Sequence, residues 1–232
     1  MIKSIDKLNT IYDGELIVDD LTKLEIGQVW IDFTKNKNSD DFFDGDIYFV
    51  TDIDDNVPSI KFSKTKYSYL IYAKKTNKLI VRSLFSAGYI RTKDNYIGII
   101  LNNRNRLNTV GGMASNQDIK DDKFDYTWCL IREFYEELGI DLNNDSNFDI
   151  ILKYLKYPTK DDLNISFYPV GTLFEIKTKY TKNEILEIFN TSEHEPEVKD
   201  LRFYNRENYN EVYLYENKTE YLDELFKILF EE

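Results

Sequence analysis

The hydrophobic pattern of this chain changes character along its length. Over residues 1–66, short β-type runs appear at 27–33, 46–53 and 59–63, separated by polar turns such as 35–41. Residues 67–73 and 78–85 read as a hairpin across Lys74-Lys75-Thr76-Asn77. Residues 88–92 and 96–101 read as another, turned by Lys93-Asp94-Asn95. The period then switches to helical over 126–138. Strands come next at 149–157, 163–170 and 172–178, then a short helix at 184–189 and a strand at 198–204. Leu222, Leu225, Phe226 and Leu229 predict a closing amphipathic helix. The expected architecture is α/β, with a mixed sheet carrying helices on both faces over residues 80–232. The expected division is a strand-rich N-terminal region, 1–66, and a main domain, 67–232. No internal repeat is visible.

The helical stretch is the most informative. Asp125 is a good N-cap, and Gly139 stands where a left-handed C-terminal glycine belongs, followed by apolar Ile140. At 100° per residue, Trp128, Ile131, Phe134, Tyr135 and Leu138 gather on one side. Glu133, Glu136 and Glu137 gather on the other, with Arg132 at the edge. Three clustered carboxylates repel one another unless a cation joins them, and hard oxygen donors suit Mg²⁺ or Mn²⁺. A solvated acidic face is the bland reading of a glutamate run. The cap, the glycine and the two-faced split favour a metal site instead.

Composition narrows the alternatives. The chain has 232 residues, 42% of them hydrophobic and 15% aromatic, enough for a substantial core. A net charge of −12 argues against a general nucleic-acid or anionic-membrane surface, though not against a small phosphorylated ligand beside a metal. One histidine, His194, and one cysteine, Cys129, make a His/Cys zinc site or a Ser-His-Asp triad a poor fit. The lone thiol, read as structural, suits a reducing intracellular, cytoplasmic setting. No secretory signal and no membrane-length apolar run is present.

Residues 132–140, Arg-Glu-Phe-Tyr-Glu-Glu-Leu-Gly-Ile, match every specified position of the second half of the Nudix box, so the chain resembles the Nudix hydrolases. By average residue usage the match arises by chance in on the order of one in 10⁶ windows. The resemblance implies an α/β/α sandwich and a metal-dependent hydrolase of nucleoside diphosphates linked to another group. It implies Glu136 and Glu137 as ligands of Mg²⁺ or Mn²⁺, Glu133 as ligand or base, and Arg132 as the residue that orients a glutamate. Gly111-Gly112 resemble the opening glycines, with the Gly112 carbonyl as a further metal ligand. The first half of the box departs from the family. Nineteen residues separate Gly112 from Arg132 where the family has thirteen, an insertion of six. The position eight before Arg132, a glutamate in the family, is Phe124, and Asp121, Asp122 and Asp125 are out of register.

A late acidic ligand is expected in the loop before the last strand, with Glu197 favoured and Glu195 and Glu193 as alternatives. The segment from His194 to Phe203 is similar to the late segment of poxvirus-type mRNA-decapping Nudix enzymes, which implies capped RNA as a partner. The net charge pulls against a long RNA body. Arg104 and Arg106, just before the glycines, are candidate phosphate contacts, against the reading of a solvated turn. His194 reads as a loop residue, with substrate contact as the alternative. A competing class is a nucleotide-binding module without catalysis, to which Phe124 and the insertion lend weight. Pairing of two subunits through the N-terminal strands is a further expectation.

Overall fold

The computed structural model describes residues 1–35, 44–54, 57–159, 162 and 165–231. The expected turn at 35–41 lies mostly outside them. In chain order the elements are β1 (Ile2–Ser4), β2 (Asn9–Glu15), α1 (Asp20–Thr34), β3 (Asp46–Asp54), β4 (Ser59–Lys66), α2 (Tyr67–Thr76), β5 (Leu84–Arg91), β6 (Ile97–Asn102), β7 (Leu107–Asn108) and β8 (Val110–Met113). Then come β9 (Ile119–Lys120), β10 (Lys123–Phe124), α3 (Tyr126–Leu138), β11 (Phe148–Lys156), β12 (Val170–Thr178), α4 (Lys182–Thr191), β13 (Val198–Tyr204), α5 (Glu211–Leu214) and α6 (Leu222–Glu231).

Among the described residues the main sheet runs β1-β11-β12-β5-β6-β13, with β7 on β6 and β8 on β5. The β12–β5 pair is parallel and its neighbours are antiparallel, so the sheet is mixed, as expected. Strand alternation sends side chains to opposite faces. Ile90, Phe174 and Ile176 face one core, with Leu130, Phe134 and Leu138 of α3 and Ile185 and Phe189 of α4. Tyr89, Leu173 and Ile99 face the other, with Val212 of α5 and Leu222, Leu225 and Phe226 of α6. The result is an α/β/α sandwich. Glycines also let the elements of the sandwich approach closely. A Cβ on Gly171 would collide with the Phe85 carbonyl, and one on Gly88 would press Leu130 of α3 at 3.1 Å.

The N-terminal region is strand-rich, as expected, but one of its runs is a helix. A second sheet, β2-β4-β3, is present, but residues 27–33 lie in α1. Asp19 caps that helix by accepting from the Thr22 N–H at 2.9 Å. Residues 67–73, read as a strand, form most of α2, which buries Leu70, Ile71 and Ala73. What read as a hairpin turn is its C-terminus, where Asn77 adopts the left-handed conformation (φ 54°) and donates to the Ala73 carbonyl. Both runs are rich in aromatic and β-branched residues, so local propensity favoured strand, and tertiary packing decided otherwise. Glu25 of α1 ties the helices together by accepting from Tyr72 and Lys78. Of the strand expected at 163–170, residues 163–164 lie outside the described set. Phe167 makes a lone bridge to Val81, and β12 begins only at Val170.

The 66/67 boundary does not separate two cores. Ile5, Leu8, Tyr48, Ile60 and Phe62 share one cluster with Leu84, Phe124, Cys129, Leu155 and Val170. β1 extends the main sheet along β11. Among the described residues, no helix is long and apolar enough to cross a membrane.

Candidate active site

α3 is built as its sequence predicts. The Asp125 carboxylate accepts from the Trp128 N–H at 2.9 Å, and the helix stops at Gly139, whose φ of +67° favours glycine. Its buried face is Cys129, Leu130, Ile131, Phe134 and Leu138. Tyr135, expected on that face, is instead 60% exposed, because the buried stripe is centred nearer Leu130 and Phe134. The loop before β13 closes over the helix end. Glu195 N–H donates to the Glu136 carbonyl at 2.8 Å, and His194 stacks on Phe189 at 4.4 Å. His194 is therefore a packing residue of this loop.

The glycine pair lies beside the acidic face. β8 pairs with β5, setting Gly111 opposite Ala87 and Gly112 opposite Ser86. Gly111 has φ +146°, and its N–H donates to Glu137 Oε2 at 2.9 Å. A Cβ on Gly112 would occupy the space of the Glu133 carboxylate. The two glycines thus let backbone approach two of the three glutamates where a side chain would exclude them.

Arg132 organises the cluster. Its Nε and one terminal nitrogen grip Asp118 at 3.2 and 3.0 Å, while the other terminal nitrogen meets Glu133 at 2.8 Å and Glu136 at 2.7 Å. The Asp118 side chain is 0% exposed and also accepts from Ser115 N–H and Oγ at 2.8 and 2.9 Å. Burial works against the Arg132 charge, but Asp118 and Glu133 more than offset it and hold its pKa above the ordinary value. Burial raises the Glu133 carboxyl to about 7, opposed by Arg132. It raises Glu137 to about 8, opposed by the Gly111 N–H, with Glu133, Glu197 and Glu195 adding repulsion. The Cys129 thiol is pushed well above its ordinary value by burial and approaches the Gly112 carbonyl at 3.9 Å.

Asp118 was missed in the sequence, and its position corrects the reading of the first half of the box. Counted back from Arg132, the family glutamate falls on Phe124. That residue is 2% exposed and packs in the core below the N-terminal sheet. Counted forward from Gly112, five residues precede Asp118, which is the family spacing. The extra six residues therefore fall after Asp118, where they form the β9–β10 hairpin. β2 holds that hairpin through Thr10 and Phe124 and through Tyr12 N–H to the Asp122 carbonyl. The overlooked signal was the capping box Ser115-x-x-Asp118.

The remaining candidates lie around this cluster. Glu197 is exposed, its carbonyl accepting from the Asn103 N–H at 2.8 Å, and its charge reaches Glu137 along with that of Glu195. Arg106 lines a cleft of about 260 Å³ together with Gly111 and Gly112, and Arg104 is not among its lining residues. Arg104 is exposed in the turn, whose backbone Asn102 and Asn217 hold. Among the described residues no group of three acidic, histidine or cysteine side chains is arranged to grip an ion, and Arg132 contacts both Glu133 and Glu136. The donor set nevertheless fits a hard cation. It offers carboxylate oxygens of Glu133, Glu136 and Glu137 together with the nearby glycine backbone, and burial raises two of the carboxyls, which a cation would lower.

No protein-family model and no curated protein matches the sequence. Solved structures do. DR0079 from Deinococcus radiodurans aligns with a TM-score of 0.50 at 12% identity, over 80% of this chain and 99% of that one. The Nudix domain of Shewanella oneidensis NrtR, complexed with ADP ribose, gives 0.44 at 9% identity, over 66% and 89%. A Nudix-family hydrolase from Clostridium perfringens gives 0.38 at 16% identity, over 64% and 96%. The likeness to the Deinococcus protein shows a shared fold, the mixed-sheet α/β architecture described above.

Proposed function

We propose that this chain is a Nudix-type hydrolase that uses Mg²⁺ or Mn²⁺ to cleave a nucleoside diphosphate linked to another group. One observation carries the reading. The Arg-Glu-x-x-Glu-Glu helix presents two of its three carboxylates against a glycine pair that lines a cleft, with Glu137 bonded to Gly111 and Glu133 seated against Gly112. Glu136, Glu137 and the Gly112 carbonyl, with Glu133, would hold the metal. Glu197 is the candidate additional ligand. A bound divalent ion supplies neutralisation of charge that builds on the phosphates and a more acidic water. Glu133, with a carboxyl pKa raised to about 7, is suited to accept the proton of a water attacking phosphorus near neutral pH. The P–O anhydride bond then breaks and the second phosphate leaves as an anion. Arg132, anchored by Asp118, orients Glu133 and Glu136.

The narrower substrate we propose is the triphosphate bridge of a capped mRNA, in the cytoplasm. The likeness of the segment from His194 to Phe203 to decapping enzymes supports it. A second reading, a ligand-binding module without turnover, is favoured by one feature: Arg132 engages Glu133 and Glu136 together. Product mass spectrometry on capped RNA and a panel of nucleoside diphosphate derivatives, with Mg²⁺ or Mn²⁺, separates the two. Turnover that falls about 10²–10³-fold in Glu136→Gln supports the hydrolase. Absence of turnover in both proteins, with metal-dependent thermal stabilisation by one compound, supports the module.

A further inference from the structure

The cleft beside the glycine pair takes its walls from distant parts of the chain. α2 contributes Lys74, the turn after β6 contributes Arg106, and the segment before β12 contributes Phe167. Lys74 Nζ lies 4.1 Å from the centroid of the Phe167 ring, close enough for a cation–π contact that positions the ammonium over the cleft. Among the described residues Lys74 has no ion-pair partner. The charges that surround this wall are mainly positive. Arg106 reaches Glu220 only at 3.6 Å. Glu220 is held more closely, at 3.0 Å, by Lys156, whose side chain is 1% exposed. Two cations thus share the Glu220 carboxylate, and Lys74 adds a third positive charge to the same cleft in a chain of net charge −12. Lys74 is exposed at the cleft edge, and partial desolvation with the nearby Arg106 charge holds its pKa below the ordinary value, so the two cations repel each other without an anion.

The glycine pair, which lines the cleft, therefore stands between two opposite fields. The acidic face of α3 lies at the glycines, and the Lys74–Arg106 wall lies on the same cleft. A diphosphate linked to an uncharged sugar would leave that wall without a counter-charge. A ligand carrying further phosphate would satisfy it.

We propose that Lys74 and Arg106 bind phosphate beyond the scissile diphosphate, so that the substrate is a nucleoside polyphosphate derivative rather than a diphosphate linked to a neutral sugar. Phe167 acts as a positioning residue for Lys74. This assignment rests on the hydrolase reading of the same cleft, but its test does not depend on turnover.

Diadenosine tetraphosphate and ADP-ribose share an adenosine diphosphate and differ in the group attached to it. Their binding is compared by titration calorimetry in Mg²⁺ on the Glu136→Gln background, with and without Lys74→Met. The tetraphosphate is expected to bind about tenfold more tightly than ADP-ribose, the scale of one charge-assisted contact. Lys74→Met should reduce that ratio to about twofold or less, and Lys74→Arg should restore it. A ratio near one before substitution, or a ratio that Lys74→Met leaves unchanged, overturns the assignment. Lys74→Arg also separates a lost charge from a misfolded cleft. Failure of the hydrolase reading appears elsewhere, as turnover insensitive to Glu136→Gln.

Discussion

Replacing Asp118 by Asn tests whether the acidic helix is organised from below by a buried ion pair. Asp118 is fully buried, the Arg132 side chain is 12% exposed, and two nitrogens of the guanidinium contact the carboxylate at 3.2 and 3.0 Å. Breaking a buried pair while leaving one partner charged costs about 3–5 kcal/mol. The amide keeps part of the hydrogen bonding from Ser115, so the lower figure applies. At about 2–4 °C per kcal/mol for a chain of this size, about 3 kcal/mol lowers Tm by about 6–12 °C. The functional effect is separate. Without its anchor, the guanidinium redistributes toward Glu133 and Glu136 and competes for the carboxylates that would hold metal. Asp118→Asn should therefore weaken Mn²⁺ binding, read by calorimetry at a temperature where the variant is folded. Asp118→Asn/Arg132→Gln should be less destabilised than the sum of the single changes, since both remove the same contact. A Tm within about 2 °C of the parent would refute the reasoning, as losing two charge-assisted contacts at a fully buried position should shift it several times further. Additive single effects would refute the pairing itself.

Two further predictions concern the same cluster. Folded Glu133 and Glu137 titrate near 7 and 8, above the ordinary 4.5, so between these values the folded metal-free protein holds protons that the unfolded chain has released. Their contribution to stability is full below about 4.5 and is lost as pH rises through 7 and then 8; thermal melts in EDTA should show this fall, and Mg²⁺ should remove it. A fall unaffected by metal would place its origin outside the cluster. The glycines should separate by mechanism: Gly112→Ala displaces only the flexible end of Glu133, so metal binding suffers while Tm changes little. Gly111→Ala meets the Ser86 carbonyl and the Ala87 backbone at a φ of +146°, and should cost about 3 kcal/mol or more in a denaturant melt. Equal losses of stability in the two variants would sink that distinction.

What could be read in the sequence was what local chemistry decides alone. α3 declared itself because Asp125, Gly139 and a two-faced period all agree on the same 13 residues. Several strands of the main sheet, β6, β11, β12 and β13, were legible as apolar runs, whereas the run read at 78–85 becomes a strand only at Leu84. α1 and α2 were not, since Val29-Trp30-Ile31 and Tyr67-Ser68-Tyr69 favour strand locally. They are helical because α1 packs on α2 and Glu25 reaches Tyr72 and Lys78, contacts with no local signature. The site shows the same division. Glu133, Glu136 and Glu137 share a helix face by spacing alone, whereas Asp118 meets Arg132 across a hairpin. Counting backward crosses that insertion and lands on Phe124. Counting forward from Gly112 does not cross it and lands on Asp118. An insertion shifts register only for residues beyond it, so the pairing survived because the hairpin lies between the two partners and β2 holds it in place. The N-terminal strands thereby support the candidate site through the element that lengthened its box.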